Sequence, residues 1–470
     1  MQSSCCKIIP VLAALVALIG GPCHGSLLDY FHADTEFFDA RRSADEVDML
    51  EPARLSADGL TASVSYDFEN FIRTRRGGEL TRNVNGDSVG CAFAGRIPKA
   101  DVSFAAAMSQ GHGTAHWVEN SGEADLRAGF HRCALAVSHK FEGGHLAGVS
   151  FGKSTADISG TETFISDALP EFGSLSAAQI DYDHSYLTAG YEYAHGGTTV
   201  GIARTDNDAD MQMELVSDHT FILPLDAKGH AYRTRASHEF ASGLTVGAYC
   251  EWGTHHGDNT AEFDPESTVD IRYRGGRVSA DSRNRRLGVQ ARKQISNRSV
   301  LTGGYERSSW EVRAKSYHLG VDTLDVGSGW GEVSSIAFDA FGKAAIDTLF
   351  LKLERVKSKR WKNELVYQRV FAEGNGYIDY YYRTWIFGGE SLPRQKSRQF
   401  FDIGARNGHV VSFAAEYMGD DWKAKFELCQ VIPAKDRSGD STPADPTAPP
   451  GPDTKSLGGT GVSVTVTHQF

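Results

Sequence analysis

The chain lacks what a membrane helix requires. After residue 26 no uninterrupted apolar stretch approaches the roughly 20 residues that carry a helix across a bilayer, and the mean hydropathy is that of a water-soluble protein. Cysteine is sparse. Cys91, Cys133, Cys250 and Cys429 are scattered singly, with no CxxC pair, so the chain carries no paired-cysteine motif. Two disulfides are open to these four residues in an oxidising compartment, but spacing assigns no pairing; a small apolar role on a strand is the plainer reading. No nucleophile motif, nucleotide site or ion-coupling helix stands out either, so neither hydrolysis nor driven transport is written in the sequence.

Between Lys7 and Ser26 stands an apolar run, Ile8 to Ile19, followed by small residues and Cys23-His24-Gly25. The run is too short to span and suits a cleaved export signal over 1–25. Pro22 directly before Cys23 argues against a lipoprotein box. Residues 26–60 have no strand rhythm, carry Asp29, Asp34, Glu36, Asp39, Asp45, Glu46, Asp48 and Glu51, and offer one short helix over Ser43–Leu50. This segment is expected to be a periplasmic tail or a plug.

From residue 61 the chain beats in twos. Ala62, Val64, Tyr66 and Phe68 alternate with Ser63, Ser65, Asp67 and Glu69, and the same rhythm recurs in segments of about ten residues. Glu142-Gly143-Gly144, Gly196-Gly197, Ser242-Gly243, Asn297 and Gly419-Asp420 punctuate it as tight hairpin turns. Longer polar stretches at 110–127, 156–177, 207–229, 255–270, 315–330 and 435–460 are expected as loops. In the last of these, GDSTPADPTAPPGPD over 439–453 reads as a disordered surface tract.

The final ten residues, GVSVTVTHQF, place Val462, Val464, Val466, His468 and Phe470 on one strand face, and the chain stops on the aromatic. This pattern resembles the sorting and assembly signal of bacterial outer-membrane β-barrels. The resemblance implies a closed antiparallel transmembrane β-barrel over 61–470, with short periplasmic turns and long extracellular loops, and a place in the bacterial outer membrane. It also implies contact with lipid and lipopolysaccharide, delivery by the barrel-assembly machinery, and a monomer or trimer. A barrel reconciles export with low hydropathy, because only every second strand residue needs to face lipid. The segment count comes to 18 or 19, and even parity favours 18 strands, with 16 as the alternative.

One stretch, 333–404, is ambiguous. Ala337, Phe338, Phe341, Ala345, Leu349, Leu353 and Val356 recur at helical spacing, whereas Leu349, Leu351 and Leu353 also suit a strand. Just before it, Asp325 to Gly331 resembles the glycine-rich loop of S-adenosylmethionine-dependent methyltransferases. That fold needs alternating helices and parallel strands, for which the remaining hairpin-like residues leave no room; an outer loop is the plainer reading.

Inward parity would place Arg233, Arg235, Arg286, Arg292, Lys423, Lys425 and Glu427 in the lumen, with Arg283, Arg285 and Lys293 among further basic residues nearby. Asp206, Asp208 and Asp210 fall in an expected outer loop. Folded inward against the basic wall, that loop would set a transverse field at a constriction, as general porins do, and select ions by sign and size. The alternative is that the carboxylates are solvated and the arginines pair along the wall.

Three function classes stay open. The first is a channel for passive diffusion of small hydrophilic or anionic solutes, since a wide barrel cannot fill itself with side chains. The second is an export or surface-assembly barrel. The third is an enzyme or adhesin, for which His131, His139, His184, His238 and Ser185 would have to meet near the rim. His112 with His116, or His255 with His256, could hold a metal, but with 17 His such spacings arise by chance. No cofactor and no nucleic-acid partner is implied.

Overall fold

The computed structural model describes residues 37, 51–55, 57, 59–74, 81–119, 122–162, 177–216, 220–259, 277–317, 319–325, 330–386, 395–402, 406–433 and 458–470. The export signal, the helix expected over Ser43–Leu50, residues 326–329 with Gly327 and Gly329, and the 435–457 tract lie outside them.

Period-two patterning produces strands throughout. The first nine are β1 (Thr61–Thr74), β2 (Thr81–Ile97), β3 (Val102–Glu119), β4 (Gly122–Phe141), β5 (His145–Glu162), β6 (Ala177–His195), β7 (Thr198–Val216), β8 (Thr220–Glu239) and β9 (Leu244–Asn259). The remainder are β10 (Arg277–Ser296), β11 (Ser299–Tyr317), β12 (Leu319–Asp325), β13 (Trp330–Ser358), β14 (Trp361–Ile386), β15 (Gln395–Asp402), β16 (Arg406–Met418), β17 (Trp422–Pro433) and β18 (Gly458–Gln469). All pairings are antiparallel and form one 18-stranded sheet in which β18 pairs with β1.

The ring itself has fewer staves than the sheet has strands. β11 pairs with β13 as far as Lys315↔Asp339, and β12 takes over at Leu319↔Ile336. β16 and β15 share the length of β14 in the same way. Each of these two couples is one interrupted stave, so sixteen staves close the barrel among the described residues. Sixteen is the second of the two counts reached from the sequence. Within the ambiguous stretch 333–404, β13 alone runs 29 residues, and its leucines follow strand rather than helical parity.

Closure is made by the terminal strand. Thr61↔Gln469 through Ile72↔Gly458 lock β1 to β18, and the Phe470 amide donates to the Leu60 carbonyl at 2.9 Å. Val464 and Val466 face outward with Phe426, Leu428, Val64 and Tyr66, all exposed. The same holds around the wall, where Leu135, Val149, Leu187, Ile202, Leu287, Val289, Leu349, Leu351, Leu365 and Phe413 are exposed. In water this many bare apolar side chains would be untenable; on a closed barrel they form the band that meets lipid. Beside the short turns Tyr417 packs edge-on against Trp361 and tilted against Trp422, with centroids 5.0 Å apart in each pair, and Tyr232 stacks on Trp252 at 5.5 Å higher up. These are the interfacial aromatics of an outer-membrane type barrel.

The expected loops at 110–127, 207–229 and 315–330 are largely strand, and parts of 156–177 and 255–270 are too; β7 and β8 remain paired out to Val216↔Thr220. The physical reason is that hydropathy alternates only where the outer face touches lipid. Above that level both faces are polar while the backbone ladder continues.

Among the described residues, all four cysteines outside the export signal are free thiols, which removes the disulfide option. Cys91 and Cys133 are each the register partner of Met108, on opposite sides of it, one full strand too far apart to bond.

At the short turns, Gly144 has φ +86°, and a Cβ there would sit 2.1 Å from the Ala194 carbonyl oxygen. Gly144→Ala is expected to destabilise the hairpin by about 1–3 kcal/mol from backbone strain alone. The readout is the folded fraction in a denaturant titration followed by unheated gel electrophoresis, and an unchanged midpoint would refute this turn geometry.

Candidate functional site in the lumen

Inward-facing residues divide the wall into two sectors. From β2 to β7 they are mostly small: Ala92, Ala94, Ser103, Ala105, Ala134, Ala136, Ser138, Ser150, Thr188 and Ala203 are all buried. From β8 to β14 they are long and charged, including Arg233, Glu251, Arg286, Glu306, Lys352 and Glu354.

The N-terminal segment lies against the small-residue sector. A 3-10 turn at Pro52–Arg54 rests on Gly148 and Gly190, and a Cβ on Gly148 would come within 2.5 Å of the Pro52 carbonyl carbon. The Ser138 hydroxyl donates to the Leu55 carbonyl at 2.7 Å, and the Ala57 amide donates to Ser103 Oγ at 3.4 Å. Leu55 and Ala57 join a buried cluster with Ala92, Ala94, Ala105, Ala134, Ala136 and Tyr186. Small wall residues are what make room for a second layer of chain inside the barrel.

The same segment reaches the charged sector through Glu51, Arg54 and Phe37. Glu51 is bound by Arg54 at 2.6 Å and lies 3.5 Å from Arg233 and 3.9 Å from Arg235. Arg235 also pairs with Glu192 of β6 at 3.0 Å. Both Arg54 and Arg235 donate to the Phe37 carbonyl, at 2.7 and 3.4 Å. The Phe37 ring stacks on Tyr249 with centroids 5.5 Å apart, beneath the Arg235 guanidinium at 5.3 Å. Tyr249 is flanked by Arg233 at 5.2 Å and Arg286 at 5.8 Å, and its hydroxyl donates to Glu306. It reaches Glu306 by lying across Gly288, where a Cβ would clash at 2.2 Å.

Further ion pairs line the wall. Arg286 meets Glu306 at 2.6 Å, Lys362 meets Glu354 at 2.7 Å, Lys352 meets Glu364 at 3.2 Å and Arg292 meets Glu354 at 3.4 Å. On β17, Lys423 pairs with Glu416 at 3.0 Å and Lys425 with Glu427 at 3.3 Å. Arg233, Arg235, Arg286, Arg292, Lys423, Lys425 and Glu427 therefore all lie on the inner face, each beside an opposite charge, as in the paired-wall alternative.

Asp206, Asp208 and Asp210 do not form a constriction loop. They are on strand β7, on the same outward parity as Val200 and Ile202, and Asp206 and Asp208 pair with Arg204 and Lys228 on that outer surface. Arg283 and Arg285, expected inside, are exposed on the outer face above Leu287. The carboxylates that face the lumen arginines come instead from the wall and from Glu51. Sequence reasoning could not find them, because Glu51 lies some 180 residues from Arg233 and outside any strand pattern.

Higher in the lumen a polar belt built from five strands crosses six. Ser154 hydrogen-bonds His184 at 3.4 Å, His184 meets Asn207 at 3.3 Å, Asn207 meets His255 at 3.3 Å and His255 meets Ser282 at 3.3 Å. His255 spans β8 because Gly229 has no side chain there; a Cβ would lie 2.1 Å from the imidazole. His131 and His238 face outward, as does Ser185, so the histidines grouped for an enzymatic rim are not brought together. His256 pairs outside with Asp281, and His116 with Asp125, both at 2.8 Å. No cluster of three or more metal-ligating side chains occurs among the described residues.

No family model matches the chain, and no curated protein matches it in sequence. Solved structures that resemble it include a FadL homologue from Pseudomonas aeruginosa (10% identity, 89% of this chain and 93% of that one, TM-score 0.42). The toluene transporter TodX from Pseudomonas putida shows 11% identity over 89% and 92%, with TM-score 0.40. The toluene transporter TbuX from Ralstonia pickettii shows 12% identity over 90% and 92%, with TM-score 0.38. At these scores the likeness carries no weight on substrate or mechanism.

Proposed function

We propose that the chain is an outer-membrane diffusion channel whose lumen is narrowed by its own N-terminal segment. One observation carries this reading: residues 51–55 and 57 are seated inside the barrel and held there by Glu51 on Arg233 and Arg235. A sixteen-stave barrel is too wide for its own inward side chains to fill, and a second layer of chain on one sector leaves the charged sector as the path. Its surface is hydroxyls, amides and paired charges, which supports small hydrophilic permeants. Because the wall cations are matched by carboxylates, discrimination between anions and cations is weak, in contrast to the anion preference that a bare basic wall would impose. We read the β18 strand ending in Phe470 as the segment that the barrel-assembly machinery takes up.

Planar-bilayer recordings of the refolded full chain test the proposal. Small stepwise currents are expected, with a reversal potential near zero in a salt gradient. Complete absence of steps, both in the full chain and in a variant lacking residues 26–57, would sink the channel reading.

A further inference from the structure

The N-terminal segment presents two groups to adjacent positions of the charged wall: a carboxylate, Glu51, to Arg233 and Arg235, and a phenyl ring, Phe37, to Tyr249. The backbone carbonyl of Phe37 adds an oxygen that accepts from Arg235 and Arg54. Phe37 is 1% exposed and Glu51 6%, so both are fully engaged. Arg235 and Tyr249 are direct register partners on β8 and β9. Their Cβ atoms are therefore roughly 4.5–5.5 Å apart, a span matched by a ring and a carboxylate joined through two methylenes.

From this geometry we infer that Arg233, Arg235 and Tyr249 form a binding site for aryl carboxylates, and that Glu51 and Phe37 occupy it as a tethered surrogate. The carboxylate of a solute takes the guanidiniums, where charge-assisted and bidentate bonding fixes it. Its ring stacks on Tyr249, beneath the Arg235 guanidinium. Gly288 contributes by letting Tyr249 lie flat, so that the ring presents its face to the lumen. The inference deepens the channel reading and rests on it for the solute's access to the lumen. Binding of the solute and seating of the segment are mutually exclusive, so the apparent affinity is lowered by the fraction of barrels in which the site is already filled.

The test is calorimetric titration of the refolded full chain in detergent with 3-phenylpropanoate as probe, with 3-phenylpropanol as the neutral control for micelle partition and propanoate as the ringless one. The double variant Phe37→Ala/Glu51→Gln is expected to bind 3-phenylpropanoate about tenfold more tightly than the unmodified chain, because both groups of the competitor are gone. In that background, Arg235→Gln should lose tenfold or more of the affinity for the carboxylate and none for the alcohol, and Arg235→Lys should retain part of it. Should Arg235→Gln fail to migrate as a folded barrel, Tyr249→Leu serves instead and should erase the preference for 3-phenylpropanoate over propanoate.

Equal affinity in Phe37→Ala/Glu51→Gln and the unmodified chain overturns the inference, as does equal binding of acid and alcohol. Stepwise current without saturable binding removes the site and leaves the channel; saturable binding without current removes the channel and leaves the site.

Discussion

Replacing Glu51 by Gln is expected to raise the population of the wide, unseated conductance level relative to the narrowed one by roughly a hundredfold, up to the limit set by a permanently unseated pore. Glu51 is 6% exposed and faces three guanidiniums, from Arg54, Arg233 and Arg235. Losing one member of a buried charge group costs about 3–5 kcal/mol, because the remaining charges are left uncompensated. That cost falls on the seated state alone, since after release both the segment and the wall are wetted. At 1.4 kcal/mol per decade, the lower bound of about 3 kcal/mol corresponds to a population shift of about two decades. Single-channel recording of the variant beside the unmodified chain gives the answer. Unchanged occupancy of the wide level would mean that Leu55 and Ala57, packed among the alanines of β2 to β4, hold the segment without electrostatic help.

The second large effect concerns the outer wall. Leu351→Arg is expected to reduce the stability of the folded barrel in lipid vesicles by about 2–4 kcal/mol, the cost of a cation facing hydrocarbon near the midplane. Leu351 is 50% exposed on β13, with Leu349 and Leu353 beside it on the same face. The next residue, Lys352, is only 2% exposed and points inward to Glu364 at 3.2 Å. A cation is thus native at position 352 and disallowed at 351. Denaturant titration of both Leu351→Arg and Lys352→Arg separates the two faces: the first should fall sharply in stability and the second little. Equal losses would contradict the assigned parity.

Much of this architecture is legible in the chain itself. Period two with apolar residues on one parity gives strands that touch lipid, and Val462, Val464, Val466 and Phe470 identify the strand that completes the ring. Val64↔Val466 and Tyr66↔Val464 pair apolar to apolar across the seam, as that pattern requires. The turns at Gly144, Gly197 and Gly243 are equally plain, because those glycines adopt left-handed backbone that other residues resist. Even the inward placement of Arg233, Arg235, Arg286 and Arg292 follows from parity, since a cation on the opposite face would be driven into hydrocarbon.

What sequence could not decide is everything that depends on which strands become neighbours and on what enters the lumen. Asp206, Asp208 and Asp210 read as loop because alternation in hydropathy ends where the lipid ends, although backbone pairing continues and keeps them on the outer face of β7. The stave count required knowing that β11 and β12 share one partner, as do β15 and β16. The pairing of Glu51 with Arg233 and the stacking of Phe37 on Tyr249 are contacts across a closed ring, between residues with no periodic relation. Local pattern fixes which way a side chain points, because that depends only on its own strand; its partner is chosen by the curvature that brings distant walls together.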